Sequence, residues 1–155
     1  MTASPEERPD KNAGFYDKSN IFAKILRREI PVIPVYEDDT ILAFMDAMPQ
    51  AEGHVLLIPK APCRNLLDAD PQILPHFIRI LQKLAQAVQQ ALSADGIAIM
   101  QFNEAAAGQT VFHLHFHIIP HYAGKARQAH GSNPVPPEKL APIAAQISAA
   151  LAKKL

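Results

Sequence analysis

His113-Leu114-His115-Phe116-His117-Ile118-Ile119 sets three histidines two residues apart, each followed by a large apolar side chain. On an extended strand successive side chains point to opposite faces, so all three imidazoles go one way and Leu114, Phe116 and Ile118 the other. The spacing predicts a strand over 112–119 with one chemical face and one core face. A lone strand histidine is ordinarily structural; three alternating with bulky apolar groups point to a site. Two chemistries suit it. Residues two apart on a strand lie about 7 Å apart and residues four apart about 13 Å, so three imidazoles do not converge on one metal with bonds of about 2.1 Å. A metal would take two of them plus a ligand from elsewhere, with His54 the obvious donor. Otherwise the middle imidazole is a nucleophile or base, and its neighbours orient it or stabilise charge.

Working outward, the strand is preceded by the small-residue loop 103–110, where Gly108 allows close backbone approach and Thr110 offers a hydroxyl. A short loop of this kind leading into a histidine strand is a plausible seat for phosphate. Further apolar runs at 35–37, 41–45, 53–58 and 97–102 read as strands, the first two joined by the turn Asp38-Asp39. Ser19 or Asn20 can cap a short helix carrying Ile21, Phe22, Ile25 and Leu26, stopped by Pro31 and Pro34. Asp70-Pro71 opens a longer one, in which Leu74, Phe77, Leu81, Leu84, Val88 and Leu92 recur at helical spacing until Asp95-Gly96. A Pro-rich connector over 131–137 leads to a last helix bearing Leu140, Ile143, Ile147 and Leu151, with Pro142 awkwardly inside it. Strands and helices that do not alternate strictly give an α+β fold: an antiparallel sheet with one long and one short helix, and a C-terminal helical extension.

The chain has 155 residues, fifteen Lys+Arg against fifteen Asp+Glu, one cysteine and no tryptophan. That length suits one domain. We read residues 1–18 as a mobile tail packing at most through Phe15 and Tyr16, 19–122 as the domain, and 123–155 as connector and terminal helix. Zero formal charge disfavours a general nucleic-acid binder, because neutralising many phosphates takes a basic excess. Cys63 alone excludes an internal disulfide framework, and it reads as a packed or surface thiol. No apolar run reaches the roughly 20 residues that span a bilayer, so we expect a cytoplasmic chain that does not engage membranes. His76 and Lys60 read as surface residues; His121 and His130 lie beyond the motif.

The segment Gly108-Gln109-Thr110-Val111-Phe112-His113-Leu114-His115-Phe116-His117-Ile118-Ile119 resembles the signature of the histidine triad (HIT) family of nucleotide hydrolases and transferases. The resemblance extends upstream through Asn20-Ile21-Phe22-Ala23-Lys24-Ile25, Tyr36-Glu37-Asp38-Asp39, Ala43-Phe44-Met45-Asp46 and Gly53-His54-Val55-Leu56-Leu57-Ile58-Pro59-Lys60. It implies a HIT-like α+β fold, usually a homodimer, that binds a purine nucleotide and attacks its α-phosphorus with no metal or other cofactor. Carried over, His115 is the nucleophile and forms a nucleotidyl-histidine. His117 contacts phosphate oxygen and helps protonate the leaving group, and His113 and His54 supply the supporting network. Asp46 binds the ribose hydroxyls; Phe22, Ile25 and Phe44 wall the base; Asn103, Gly108, Gln109 and Thr110 hold the α-phosphate and leaving group. The implied substrates are AMP-X compounds, adenosine phosphoramidate or diadenosine polyphosphate. Many relatives carry Cys-x-x-Cys as half of a structural zinc site where this chain has Asn20 and Ala23. A histidine at the third triad position, 117, argues against the uridylyltransferase branch. Pro120 and the Gly-Gln-Thr loop look like the dinucleotide branch and the N-terminal blocks like the phosphoramidate branch. A nucleotide-binding scaffold with little catalysis and a His-ligated metal hydrolase are the alternatives.

Overall fold

A computed structural model describes residues 15–129 and 133–155. His130 and residues 1–14 of the expected tail lie outside them. Five antiparallel strands, β1 (Pro34–Glu37), β2 (Ile41–Met45), β3 (Val55–Pro59), β4 (Gly96–Met100) and β5 (Phe116–His121), lie in the order β1-β2-β3-β5-β4. Alternation divides the sheet into two apolar faces. Ile41, Ala43 and Met45 of β2, Val55 and Leu57 of β3, and Phe116 and Ile118 of β5 join one core with Phe77, Ile80, Leu84 and Val88. Those last four come from the long helix α2 (Leu74–Leu92). Leu140, Ala144, Ile147 and Leu151 of α3 (Pro137–Ala152) close the same side. Leu42, Phe44, Leu56 and Ile58 face the other way, covered by Phe22 and Ile25 of the six-residue α1 (Ile21–Leu26), with Leu26, Ile30, Val32 and Val111 partly buried around them. A single short helix cannot fill that face, and the site lies in the space it leaves.

Local signals place the ends of the helices. Asn20 caps α1 by accepting the Ala23 amide at 2.9 Å. Asp70 caps a 3₁₀ turn over Pro71–Ile73 that leads into α2. That helix stops at Ser93, which adopts φ +52°, rather than at the expected Asp95-Gly96; Gly96 instead opens β4. Pro142 is accommodated within α3 on its exposed side. His76 is not simply solvated: its Nε2 lies 2.8 Å from Asp38 Oδ2. Lys60 pairs with Glu37 at 2.9 Å. Among the described residues, no helix is long and apolar enough to cross a membrane.

The histidine strand begins later than its alternation predicts. β5 starts at Phe116, and its ladder with β3 runs only from Val55↔Ile118 to Leu57↔Phe116. Pro59 has no amide to continue the pairing. The backbone before Phe116 finds other partners, Leu114 N–H donating to the Cys63 carbonyl at 2.9 Å. The inside-outside alternation survives the bend, since Leu114 sits in the α2 core while His113 and His115 lie against Phe22 on the α1 side.

Gly53 turns the chain into β3 with φ +93°, and a Cβ there would meet Leu92 Cδ1 at 2.1 Å. Both the left-handed backbone and the contact penalise a side chain. Gly53→Ala is expected to lower stability by about 2 kcal/mol, read as a lower urea midpoint at unchanged m-value.

Candidate active site

On the α1 side of the sheet lies a cavity of about 390 Å³. Phe22, Ile25, Phe44, Asp46, Gly108, Thr110, His115 and His117 all line it. α1 brings Phe22 and Ile25, and β2 brings Phe44 and, just past its end, Asp46. β5 carries His117, opposite Leu56 in the ladder.

The three histidines and His54 hold their protons in an order that rigid backbone partners dictate, because a carbonyl can only accept and an amide N–H can only donate. His113 donates through Nε2 to the Pro59 carbonyl at 2.8 Å, leaving Nδ1 to accept from the Tyr16 hydroxyl at 2.6 Å. His115 donates through Nδ1 to the His113 carbonyl at 2.7 Å, so its neutral ring carries the lone pair on Nε2. His54 accepts the Gln50 amide on Nδ1 at 3.1 Å, which places its proton on Nε2. That proton faces His117 Nδ1 at 2.9 Å and Asp46 Oδ2 at 3.5 Å. His117 accepts on Nδ1 and therefore holds its own proton on Nε2. Adjacent imidazoles, 5.1 Å apart between centroids, thus present opposite chemistry: His115 a lone pair and His117 a donor.

Asp46, His54 and His117 each offer a ligand atom, all within 4.8 Å of one another. The flat-strand geometry foresaw two triad histidines joined by His54; the cluster contains one triad histidine and a carboxylate instead. A metal there would need the His54 Nε2 lone pair, but the Gln50 amide aimed at Nδ1 leaves a proton on that atom. The donor set therefore suits proton relay better than ligation. Asn20, whose side chain caps α1, and Ala23 offer no thiolate for a structural zinc.

Two expected phosphate contacts do not line the cavity. Gln109 is buried; its Nε2 donates to the Arg64 and Val111 carbonyls and its Oε1 accepts the Glu104 amide. Asn103 accepts the Leu66 amide and bonds to Gln101. Both side chains brace the loop. The loop amides differ from expectation as well: wound as a 3₁₀ turn over Ala105–Ala107, it returns the amides of Ala107 and Gln109 to the Glu104 carbonyl and that of Gly108 to Ala105. Thr110 remains at the cavity, exposed. Asp46 caps the Met48 amide at 2.8 Å and lines the cavity.

Sequence reasoning passed over the buried pair that carries this loop. Arg64 grips Glu104 through Nε and Nη2, both at 2.8 Å, and stacks 4.1 Å over the Phe112 ring. Asn65 bonds to both Glu104 and Gln109. The only signal was a polar Arg-Asn pair between apolar stretches. Cys63 packs inside the α2 core, and burial pushes its thiol up to about 12, out of reach of thiolate chemistry. His121 lines a different hollow with Tyr122 and Glu52.

Burial holds His113 down to about 4, with the nearby His115 adding to the effect and the Pro59 carbonyl opposing it. Above pH 6.5 both folded and unfolded chains keep this ring neutral. Between 6.5 and about 4 only the unfolded chain takes the proton, so stability falls as pH drops, by about 3 kcal/mol over the whole interval. Denaturation at pH 7 and pH 5, which spans part of that interval, is expected to show a loss of about 2 kcal/mol in the wild type and a smaller one in His113→Gln.

The HIT domain family model matches residues 27–124. A crystal structure of a Hit-like protein from Bartonella henselae, described as involved in cell-cycle regulation and holding an unknown ligand, is 56% identical. The match covers 87% of this chain and 98% of that one, with a TM-score of 0.81. A zinc-bound histidine triad family protein from Mycobacterium smegmatis is 33% identical over 88% of this chain and 95% of that one, with a TM-score of 0.75. Adenylylsulfatase HINT3 of Arabidopsis thaliana is 37% identical over 100 residues, 64% of this chain and 51% of that protein. With its triad, its sheet and its cavity in one arrangement, the chain belongs to the HIT family.

Proposed function

We propose that this protein hydrolyses compounds in which AMP is joined to a leaving group, by double displacement through His115. The observation that carries the reading is the 2.7 Å bond from His115 Nδ1 to a backbone carbonyl, which leaves an imidazole lone pair beside a cavity lined by aromatic rings and a carboxylate. His115 Nε2 attacks the α-phosphorus and the bond from phosphorus to the leaving group breaks, while His117 Nε2–H hydrogen-bonds the leaving atom and assists its protonation by solvent. Water then cleaves the N–P bond, its hydroxyl going to phosphorus and its proton to solvent, releasing AMP and restoring the neutral His115 ring. Phe22, Ile25 and Phe44 would wall a purine, Asp46 would accept the ribose hydroxyls, and Thr110 would bind phosphate oxygen. The adenylyl-sulfate activity in the name of the Arabidopsis relative is of the same reaction class.

Brief incubation with adenosine 5′-phosphoramidate or diadenosine polyphosphate, followed by alkaline quench and peptide mass analysis, is expected to locate an AMP adduct on His115. Turnover is expected to survive chelators, since no step uses a metal. Loss of turnover with chelator, restored by zinc, would favour the metal hydrolase; nucleotide binding with no adduct and no turnover would favour a scaffold.

A second copy is the partner proposed for the outer edge of β4. This edge strand exposes Ile99 at 43%, next to Ile78 of α2 at 46%, around an apolar hollow that includes Leu81, Ala85 and Ile97. Two such edges can pair about a two-fold axis and remove each other's unpaired backbone from water. Sedimentation is expected to give a dimer, and Ile99→Arg a monomer.

A further inference from the structure

We infer that Tyr16, which precedes the residues matched by the family model, is a positioning residue for the His115 nucleophile. The inference rests on the proposed nucleotidyl transfer, and it begins with a buried acceptor. His113 is fully buried, and with its Nε2 proton committed to the Pro59 carbonyl its Nδ1 needs a donor. The Tyr16 hydroxyl supplies it at 2.6 Å, with the two rings edge to face. Desolvation raises the Tyr16 phenol above its ordinary value, so at neutral pH it keeps the proton it donates.

The same residue, His113, presents its backbone carbonyl to His115 Nδ1–H. One rigid unit therefore joins the phenol to the nucleophile: hydroxyl, buried ring, carbonyl, second ring. Phe22 packs edge to face on both imidazoles, at 6.3 and 4.9 Å, and leaves them little room to turn independently. Loss of the hydroxyl strands the His113 acceptor, and the ring then turns toward another donor, carrying its carbonyl and the His115 ring with it.

The tyrosine is held for this purpose at both sides. Arg64 Nη1 donates to the Phe15 carbonyl at 3.2 Å, Arg27 Nη1 donates to the Lys18 carbonyl at 2.8 Å, and Asn20 donates to the Asp17 carbonyl at 2.7 Å. Arg64 also carries Glu104, so the guanidinium that steadies the phosphate loop steadies the tyrosine segment too.

Tyr16→Phe removes one oxygen and keeps the ring. Lys18→Ala, at an exposed side chain, serves as the control. Single-turnover adduct formation with adenosine 5′-phosphoramidate is expected to slow about tenfold in Tyr16→Phe, with substrate KM unchanged, because displacement of an attacking atom costs rate rather than affinity. Lys18→Ala is expected to match the wild type. Nitrogen-15 NMR of the imidazoles supplies a readout that needs no turnover: the His113 Nδ1 resonance should move, and the His115 Nδ1 proton should exchange faster. An adduct rate equal to that of the wild type overturns the proposal even if the His113 resonance moves. If the wild type itself forms no adduct, the hydrolase reading fails; an unchanged His115 proton in Tyr16→Phe then overturns the positioning role separately.

Discussion

His115→Ala is expected to reduce turnover by at least about 10⁴-fold and to abolish the AMP adduct, while nucleotide binding persists. The other groups around the cavity cannot replace it. His117 has its Nδ1 occupied by His54 and its remaining nitrogen protonated, so it offers no lone pair. His113 is fully buried, its ring held between Pro59 and Tyr16. Binding should survive because the apolar walls and Asp46 are untouched. His117→Ala provides the complementary test: it should slow poor leaving groups most and recover with a leaving group stable as an anion, since only the former needs a proton. Retention of full activity in His115→Ala would remove covalent catalysis altogether.

Glu104→Ala is expected to cost about 2 kcal/mol and to impair turnover without touching a cavity-lining side chain. Arg64 is nearly buried, and removing its carboxylate leaves a desolvated guanidinium. Glu104 itself is about a quarter exposed, so solvent screens part of the pair and the loss falls below that of a fully buried one. Glu104 also has φ +75° with ψ 157°, a conformation suited to glycine. Glu104→Gly therefore removes the same carboxylate but relieves the backbone, and should recover about 1 kcal/mol relative to Glu104→Ala. Equal unfolding free energies in the two variants would show that the loop, once released, abandons this conformation. In either variant the turn leading to Gly108 and Thr110 loses its anchor, and kcat should fall more than binding.

Much of the site was legible along the chain because its spacing is local. The two-residue alternation of His113, His115 and His117 against Leu114, Phe116 and Ile118 assigned faces correctly even where the backbone leaves the sheet. The apolar walls were legible for the same reason, Phe44 lying opposite Ile41 and Ala43 in direction and Phe22 and Ile25 sharing one side of α1. That Gln109 and Asn103 brace their own loop was not legible, because a polar side chain there has the same letters whether it faces a cavity or braces the turn. Tyr16 and Arg64 were passed over because their partners, His113 and Glu104, stand 97 and 40 residues away in sequence.

The chain by itself determined the α+β class, the two-faced strands and the capping residues Asn20 and Asp70, since φ/ψ preference, capping and side-chain direction act over a few residues. Only the tertiary structure decided which nitrogen of each histidine carries a proton. That choice belongs to the Pro59 and His113 carbonyls and the Gln50 amide, fixed groups that a folded backbone brings to the rings and that no residue pattern records.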